Sequence, residues 1–363
     1  MALSQIKGQE GLYVGGLWAL RRCDQLEQRH ITHVLSMVAF DASRLTNMRN
    51  EAWAEYGARF KHVTIDLDDV DDADLLAELP RAVAFIHEGL ASGAVFVHCA
   101  AGKSRSVSVV VGYLLWAKPG QFDPNTALAA GTQKRSPRET AGQAVDAALE
   151  LVRLTRPMAE PNDGFMQQLA LWWEMGCPDN VKSHGAYQRW AYNREVAEHV
   201  AIGQAPARLR FEDEEEGRNA LPSALDATVA RCKKCRKTLA TAPFIQPHGP
   251  SATCSSSPCP HLFVEPLSWM RAELEKGQLK GRLACPNQRC GAAVGRYDWK
   301  GIRCACGAWI TPGLSLQRAK VDVSNSNAST RPDGLGPSQD DEATRMKMMG
   351  IRLPPGAGRG QHL

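Results

Sequence analysis

The sequence predicts an α/β domain followed by a second, small domain organised by cysteine pairs. Three observations carry this reading. Short β-rich runs alternate with helical periodicity from residue 11 to about residue 176, the pattern of an α/β layer fold. Eight of the 11 cysteines fall between Cys232 and Cys306, whereas only Cys23, Cys99 and Cys177 precede them. Charge divides in the same place: residues 227–320 hold 15 Lys or Arg against 4 Asp or Glu, a net of +11, so the rest of a chain whose total is +4 carries −7. A length of 363 residues suits two domains with linkers better than one core.

Taken in order, residues 33–38, 62–67 and 94–98 read as buried strands, being short and rich in β-branched side chains. Residues 73–90 repeat Leu75, Leu76, Leu79, Ala82, Val83, Phe85, Ile86 and Leu90 at helical spacing. Residues 106–116 read as a buried helix, although their valines would also suit a strand. Residues 187–200 form a further expected helix, and the acidic run 212–216 reads as a solvated linker. Beyond residue 317 the chain turns polar and rich in Ser, Asn, Gly and Pro, and most of it is expected to be disordered.

Composition excludes several classes. With 44% hydrophobic and 23% charged residues, the chain is not wholly disordered, collagen-like or a disulfide miniprotein. No apolar run approaches the roughly 18 residues of a membrane span, and residues 1–14 lack the apolar core of a secretory signal. An intracellular protein is expected, in which cysteines serve as thiols or metal ligands.

The sharpest local feature follows the strand at 94–98: His98-Cys99-Ala100-Ala101-Gly102-Lys103-Ser104-Arg105-Ser106. A strand, a tight loop with a central glycine and a following helix aim backbone N–H groups and a helix N-terminus at one point, which makes a cradle for a phosphate dianion. A cysteine at the head of such a loop has its pKa lowered from about 8.5 toward roughly 3.5–7.5. Cys99 is therefore expected as a thiolate nucleophile. Residues Ala100, Ala101, Gly102, Lys103 and Ser104 would supply the loop, and Arg105 would return a bidentate guanidinium to the same anion.

This string resembles the signature of the cysteine-dependent protein tyrosine phosphatase superfamily, and its Gly-x-Ser-Arg-Ser ending resembles the dual-specificity branch. The resemblance implies that Cys99 attacks phosphorus, Arg105 binds the phosphoryl oxygens, Ser106 assists breakdown of the thiophosphate and His98 supports them from behind. It also implies a general acid on a loop about thirty residues upstream, where residues 65–72 (IDLDDVDD) offer several carboxylates. Asp69 matches the family's Asp-x4-(Asp/Asn)-(Leu/Ile) pattern through Asp74-Leu75, and is preferred to Asp68. The likeness extends to residues 11–15, 31–35, Arg156-Pro157 and 161–169. Residues 133–159 are longer than the family norm and are read as an extended helix or a surface insertion. The reaction itself needs no cofactor.

The second half presents Cys232-x2-Cys235, His248, Cys254, Cys259, His261, Cys285-x4-Cys290 and Cys304-x-Cys306. Short Cys-x(n)-Cys turns each deliver two thiolates, and structural zinc wants four such ligands, so eight ligands predict two zinc ions. Together with the phosphatase-like half, this region resembles the C-terminal domain of zinc-binding dual-specificity phosphatases implicated in late assembly of the large ribosomal subunit. The likeness rests on residues 231–237, 259–270 and 299–312. It implies Cys232, Cys235, His248, Cys259, Cys285, Cys290, Cys304 and Cys306 as ligands, with Cys254 and His261 as spares. Likeness to a two-knuckle sheet would group Cys232 and Cys235 with Cys285 and Cys290, although the sequence alone leaves the pairing open.

The expected organisation, with the folds that the resemblance implies, is an α/β dual-specificity phosphatase domain at 1–180 whose central mixed sheet is flanked by helices, a helix and acidic linker at 181–227, a small β-rich two-zinc domain at 228–318 and a largely disordered tail at 319–363. The expected partners are a phosphoprotein substrate and, through the basic zinc domain, pre-ribosomal large subunits. Contacts would come from Lys and Arg near residues 232–237 and from aromatics such as Trp269 or Trp309. A monomer in cytoplasm and nucleus, with no membrane partner, completes the expectation. The rival readings are an assembly factor whose catalysis is dispensable and a phosphoinositide phosphatase, which would want more than the single Lys103 in the loop. A zinc-dependent ubiquitin ligase is disfavoured by the Cys/His spacing.

Overall fold

A computed structural model of the chain describes residues 3–127, 134–216, 228–248 and 259–325. The chain forms two compact units, Met1–Glu198 and His199–Leu363. Among the described residues no helix is long and apolar enough to cross a membrane.

The first unit is a five-stranded mixed sheet between helical layers. Its strands are β1 (Leu3–Gln5), β2 (Leu12–Gly16), β3 (Ile31–Ser36), β4 (Lys61–Thr64) and β5 (Ala94–Cys99), in the spatial order β1-β2-β5-β3-β4. Strand β1 runs antiparallel to β2, and the remaining pairings are parallel. All six residues of the central strand β5 are buried, as a strand covered on both faces requires. Gly15 pairs with His98 and Gly16 with Cys99, which fixes where the chain leaves the sheet. The strand expected at 62–67 ends at Thr64; Ile65 and Leu67 are buried, but as loop residues.

One face of the sheet is covered by α2 (Leu75–Ser92), α3 (Arg105–Ala117), α4 (Pro137–Arg153) and α5 (Asp163–Glu174), the other by α1 (Cys23–Gln28) with Trp53 and Tyr56. The valine-rich segment after the loop is helical. Every residue from Ser106 to Leu115 is buried, and packing on all sides overrides the β preference of valine. The long segment after residue 133 is a helix that belongs to the core: Ser136 and Glu139 form a capping box at its start, and Ala144, Val145, Ala148, Leu149 and Val152 are buried against the sheet-covering helices. Residues 128–133 lie outside the described residues. The next helix, α6 (Gly185–Ala201), is tied to the first unit by Tyr187 Oη donating to Asp74 (2.7 Å) and Arg194 Nη1 donating to the Asp72 carbonyl (3.1 Å).

The second unit is built from small antiparallel sheets. Strands β6 (Thr228–Cys232), β7 (Thr238–Thr241) and β14 (Val321–Asn325) form one, in the order β14-β6-β7. Strands β8 (His261–Phe263), β9 (Lys280–Ala284), β10 (Ala293–Asp298) and β13 (Gly313–Gln317) form another, in the order β8-β13-β10-β9. A two-residue pair, β11 (Ile302–Arg303) with β12 (Trp309–Ile310), completes the set.

Two expectations are corrected here. Residues 321–325, expected within the tail, form the edge strand β14, because their alternation lets Val321 pair with Cys232 and bury its side chain; residues 326–363 lie outside the described residues. The acidic run is not a solvated linker but the helix α7 (Glu212–Glu216) of the second unit. Buried Glu212 pairs with Arg210 at 2.7 Å, Asp213 accepts hydrogen bonds from Ser268, and Glu214 pairs with Arg271 at 2.7 Å. Local cations of the basic unit neutralise what reads, in one dimension, as a charge run. Residues 217–227 lie outside the described residues.

Candidate active site and metal clusters

The loop between β5 and α3 places Cys99 at the end of the central strand, 1% exposed, beneath the N-terminus of a 13-residue helix. Gly102 turns the loop at φ +72°. A side chain there would sit 2.3 Å from the Gly15 carbonyl, so the loop can close against β2 only with glycine. Closure brings the Gly102 N–H to Cys99 Sγ (3.2 Å) and the Ser106 hydroxyl to the same sulfur (3.4 Å). Burial by itself pushes the Cys99 thiol up. The Ser106 hydroxyl and the backbone N–H groups of Ser106, Gly102 and Lys103 outweigh it, holding the thiol below its ordinary value. Because Ser106 is foremost among those opposing groups, Ser106→Ala is expected to move the acid limb of the kcat/KM profile to higher pH. The thiolate would then be lost as pH falls through a higher pKa; a pH–rate series on an aryl phosphate checks the shift.

Arg105 opens α3 and lies over the upstream acidic loop. Its Nη1 donates to the Leu67 carbonyl (2.9 Å), while its buried Nε sits 3.6 Å from Asp69 Oδ2 and lacks a hydrogen-bond partner. A buried guanidinium N–H left open beside an anion cradle suits an incoming phosphoryl oxygen. Asp69 is the carboxylate of that acidic loop that reaches the cradle: Oδ1 accepts from Ser104 Oγ (2.5 Å) and from Asn162 Nδ2 (3.1 Å). Its neighbours have other work. Asp66 accepts from the Ala39 N–H, and Asp74 caps α2 through the Ala77 N–H.

Helix α5 holds the acidic loop in place. Asn162 caps that helix and reaches Asp69, Gln168 bonds both the Leu76 N–H and the Ala73 carbonyl, and Gly164 admits the Asp71 carbonyl where a Cβ would lie 1.9 Å away. Beneath the loop, the guanidinium of Arg156 is buried and donates from Nε to the Gly102 carbonyl, from Nη2 to Ala101 (3.0 Å) and from Nη1 to Ser4 (3.4 Å). It braces the cradle and adds positive potential under it. Nothing in the local sequence marks Arg156, Ser104 or Asn162 for these contacts; the one hint is that all three lie in segments that carry the family likeness, Ser104 within the loop string itself.

His98 faces away from the sulfur. Its Nε2 lies 2.6 Å from Ser36 Oγ, which lies 2.7 Å from His62 Nε2, and its Nδ1 lies 3.3 Å from the Cys99 carbonyl. Burial pushes its pKa down to about 3, so it is a neutral strut that orients the Cys99 backbone. Lys103 turns outward to Glu160 (2.5 Å).

In the second unit the eight ligand candidates fall into two groups, Cys232, Cys235, Cys285 and Cys290 in one and His248, Cys259, Cys304 and Cys306 in the other, with all donor atoms of a group within 4.8 Å of one another. Sulfur separations of 3.5 Å (Cys235 to Cys285) and 3.9 Å (Cys232 to Cys290) bracket the roughly 3.8 Å edge of a tetrahedron with metal–sulfur bonds near 2.3 Å. His248 Nε2 lies 3.2 Å from Cys304 Sγ. The residue after each second cysteine is left-handed: Arg236 (φ +64°), Gly291 (φ +54°) and Gly307 (φ +90°). That turn points backbone N–H groups at the sulfurs, from Lys237 to Cys235, Ala292 to Cys290 and Ala308 to Cys306; the Cys235 and Cys306 thiols are held below their ordinary value, whereas at Cys290 the Ala292 N–H is outweighed by burial and the neighbouring sulfurs of Cys235 and Cys232, which push the thiol up. Both groups therefore fit a four-coordinate metal ion. His261 lies apart from them, its Nδ1 2.8 Å from Ser315 Oγ, and Cys254 lies outside the described residues.

Residues 12–136 match the family described as dual specificity phosphatase, catalytic domain. The tyrosine-protein phosphatase YVH1 of Saccharomyces cerevisiae is 29% identical, over 86% of this chain and 89% of its own length. Dual specificity protein phosphatase 12 of Homo sapiens is also 29% identical, over 86% of this chain and 87% of its own. The crystal structure of the Yvh1 phosphatase domain from Chaetomium thermophilum is 43% identical, covering 49% of this chain and 99% of that one, with a TM-score of 0.41. The catalytic-domain match over residues 12–136, with curated relatives matched over most of their own length, establishes that the chain belongs to the dual-specificity protein phosphatases, phosphoric monoester hydrolases of the protein tyrosine phosphatase type.

Proposed function

We propose that the chain hydrolyses phosphotyrosine and phosphoserine/threonine in proteins through a cysteinyl-phosphate intermediate at Cys99, and that its basic second unit carries two structural zinc ions and binds pre-ribosomal large subunits during late maturation. The observation that carries the catalytic part is the sulfur of Cys99, buried yet hydrogen-bonded by Gly102 and Ser106 so that its thiolate is favoured. The thiolate attacks phosphorus while the P–O bond to the leaving group breaks. The Asp69 carboxyl gives its proton to the departing oxygen. Arg105 and the N–H groups of residues 100–105 bind the three equatorial oxygens, where negative charge gathers in the transition state. In the second step Asp69, now a carboxylate, takes a proton from water as that water attacks phosphorus. The S–P bond breaks, the Ser106 hydroxyl supports the departing sulfur, and orthophosphate leaves.

The choice of Asp69 over Asp68 rests on its contacts with Ser104, Asn162 and Arg105. Asp69→Asn is expected to slow hydrolysis about 10²–10⁴-fold with poor leaving groups and much less with good ones, because only the former need a proton in the transition state. A leaving-group series on both variants tests this; the same signature in Asp68→Asn and not in Asp69→Asn would reassign the acid.

Zinc suits both donor sets, four thiolates in one group and three thiolates with one imidazole in the other, and would act as a structural cross-link rather than a reactant. One group joins the turn of β6–β7 to the ends of β9 and β10; the other joins His248 and the segment before β8 to the β11–β12 turn. The likeness to ribosome-assembly phosphatases, with the +11 charge of residues 227–320, supports a partner rich in phosphate and a cytoplasmic and nuclear location.

A further inference from the structure

The basic side chains that the sequence singles out for partner binding, those around the first cysteine knuckle, are largely engaged within the second unit itself. Lys233 Nζ donates to the carbonyls of Arg318 and Ala319 (3.3 Å each), Lys234 Nζ to that of Cys290 (3.4 Å), and Arg236 pairs with Asp322. A different set of cations is uncommitted. Lys280 and Arg282 on β9, Arg296 on β10 and Arg303 on β11 line one open groove of about 730 Å³, and among the described residues none of them has an ion-pair partner. All four are exposed. The one carboxylate on the groove lining, Asp298, accepts the Lys300 N–H instead (3.0 Å).

The register sharpens this. Arg296 stands directly opposite Arg282 in the β9–β10 pair, and like charges facing each other across a sheet cost stability. An anion between them would turn that cost into binding. At the groove's end Arg303 pairs with Trp309, whose side chain is 60% exposed. Its indole rests against Gly301, a groove residue at φ +109° where a Cβ would lie 2.6 Å from Trp309 Nε1. Trp269, by contrast, is fixed by its Nε1 donating to the Leu239 carbonyl (2.8 Å). Unpaired cations across neighbouring strands beside one exposed tryptophan are the chemistry that holds a single-stranded nucleic acid, phosphates on the cations and a base on the ring.

We infer that this groove is a single-stranded RNA-binding site, with Lys280, Arg282, Arg296 and Arg303 on the phosphodiesters and Trp309 stacking a base. The inference rests on the RNA-facing reading of the second unit and assigns it a place.

The test uses the full chain with its metal and a short fluorescent single-stranded RNA, read by anisotropy over a salt series. Arg282→Ala/Arg296→Ala is expected to weaken binding at least tenfold and to lower the salt slope by about 1.4, at roughly 0.7 for each phosphate no longer neutralised. Trp309→Ala is expected to weaken it about 5- to 150-fold, the range of one base stack, with the salt slope unchanged. Arg282→Lys/Arg296→Lys should retain most of the salt slope, and unchanged zinc content and phosphatase activity would show that the variants fold. Wild-type binding that these variants leave intact, while Lys233→Ala/Lys234→Ala reduces it, would overturn the groove and spare the RNA reading. Absence of RNA binding by the wild type would overturn both. An acidic peptide that binds as tightly as RNA, with the same losses on substitution, would make the groove a protein-docking site and overturn the assignment.

Discussion

Replacement of Cys99 by serine is expected to reduce hydrolysis of an aryl phosphate to background, a loss on the order of 10⁴–10⁶-fold, as when a covalent enzyme loses its nucleophile. That corresponds to about 5–8 kcal/mol of barrier. The cause is the protonation state of the attacking atom. The hydrogen bonds from Gly102 and Ser106 draw a thiol below its ordinary pKa, whereas a serine hydroxyl starts far above it and the loop holds no side chain placed to remove its proton. Arg105, Arg156 and the loop backbone remain, so the variant should still bind phosphorylated substrate and release it slowly. Steady-state kinetics with product detection checks the first point and capture of a phosphopeptide the second. Turnover within tenfold of wild type would mean that another residue performs the attack.

The second large effect concerns metal. Two zinc ions per chain are expected by elemental analysis, and removing them with a strong chelator should unfold the second unit while the first keeps its structure and activity. Structural zinc contributes of order 10 kcal/mol to such small domains. The core that would remain without metal is thin near the second group, where Phe263, Ile302 and Cys304 form a small buried cluster with two more of the candidate ligands, Cys259 and Cys306, packed on it. Limited proteolysis after chelation should release a protected fragment ending near residue 198, where the first unit ends. Cys304→Ser should behave like the chelated protein and drop out of co-sedimentation with large-subunit precursors, while Cys99→Ser stays with them. One zinc or none in freshly purified protein, or a second unit that resists protease without metal, would refute the two-ion account. If loss of Cys99 abolished co-sedimentation as completely as loss of Cys304, the catalytic loop would itself be part of the binding surface.

What the sequence determined by itself is what a few consecutive residues can encode. The cradle from His98 to Ser106 was legible because a strand end, a glycine at the turn, a cysteine and an arginine must follow one another at fixed spacing to surround one anion. The cysteine pairs were legible for the same reason, since each knuckle is a single turn. The valine-rich helix after the loop and the acidic helix Glu212–Glu216 were less so. Burial on all sides decided the first and the cations Arg210 and Arg271 the second, and neither condition is written in the local string. Tertiary structure alone brought Arg156 under the loop from 54 residues away and Asn162 to Asp69 across 93. It also occupied the lysines of the first knuckle while leaving the cations of the β9–β10 face open. Alternation along a strand tells which side chains share a face. Which strands become neighbours, and hence which charges meet and which stay unpaired, is decided only when the sheet closes.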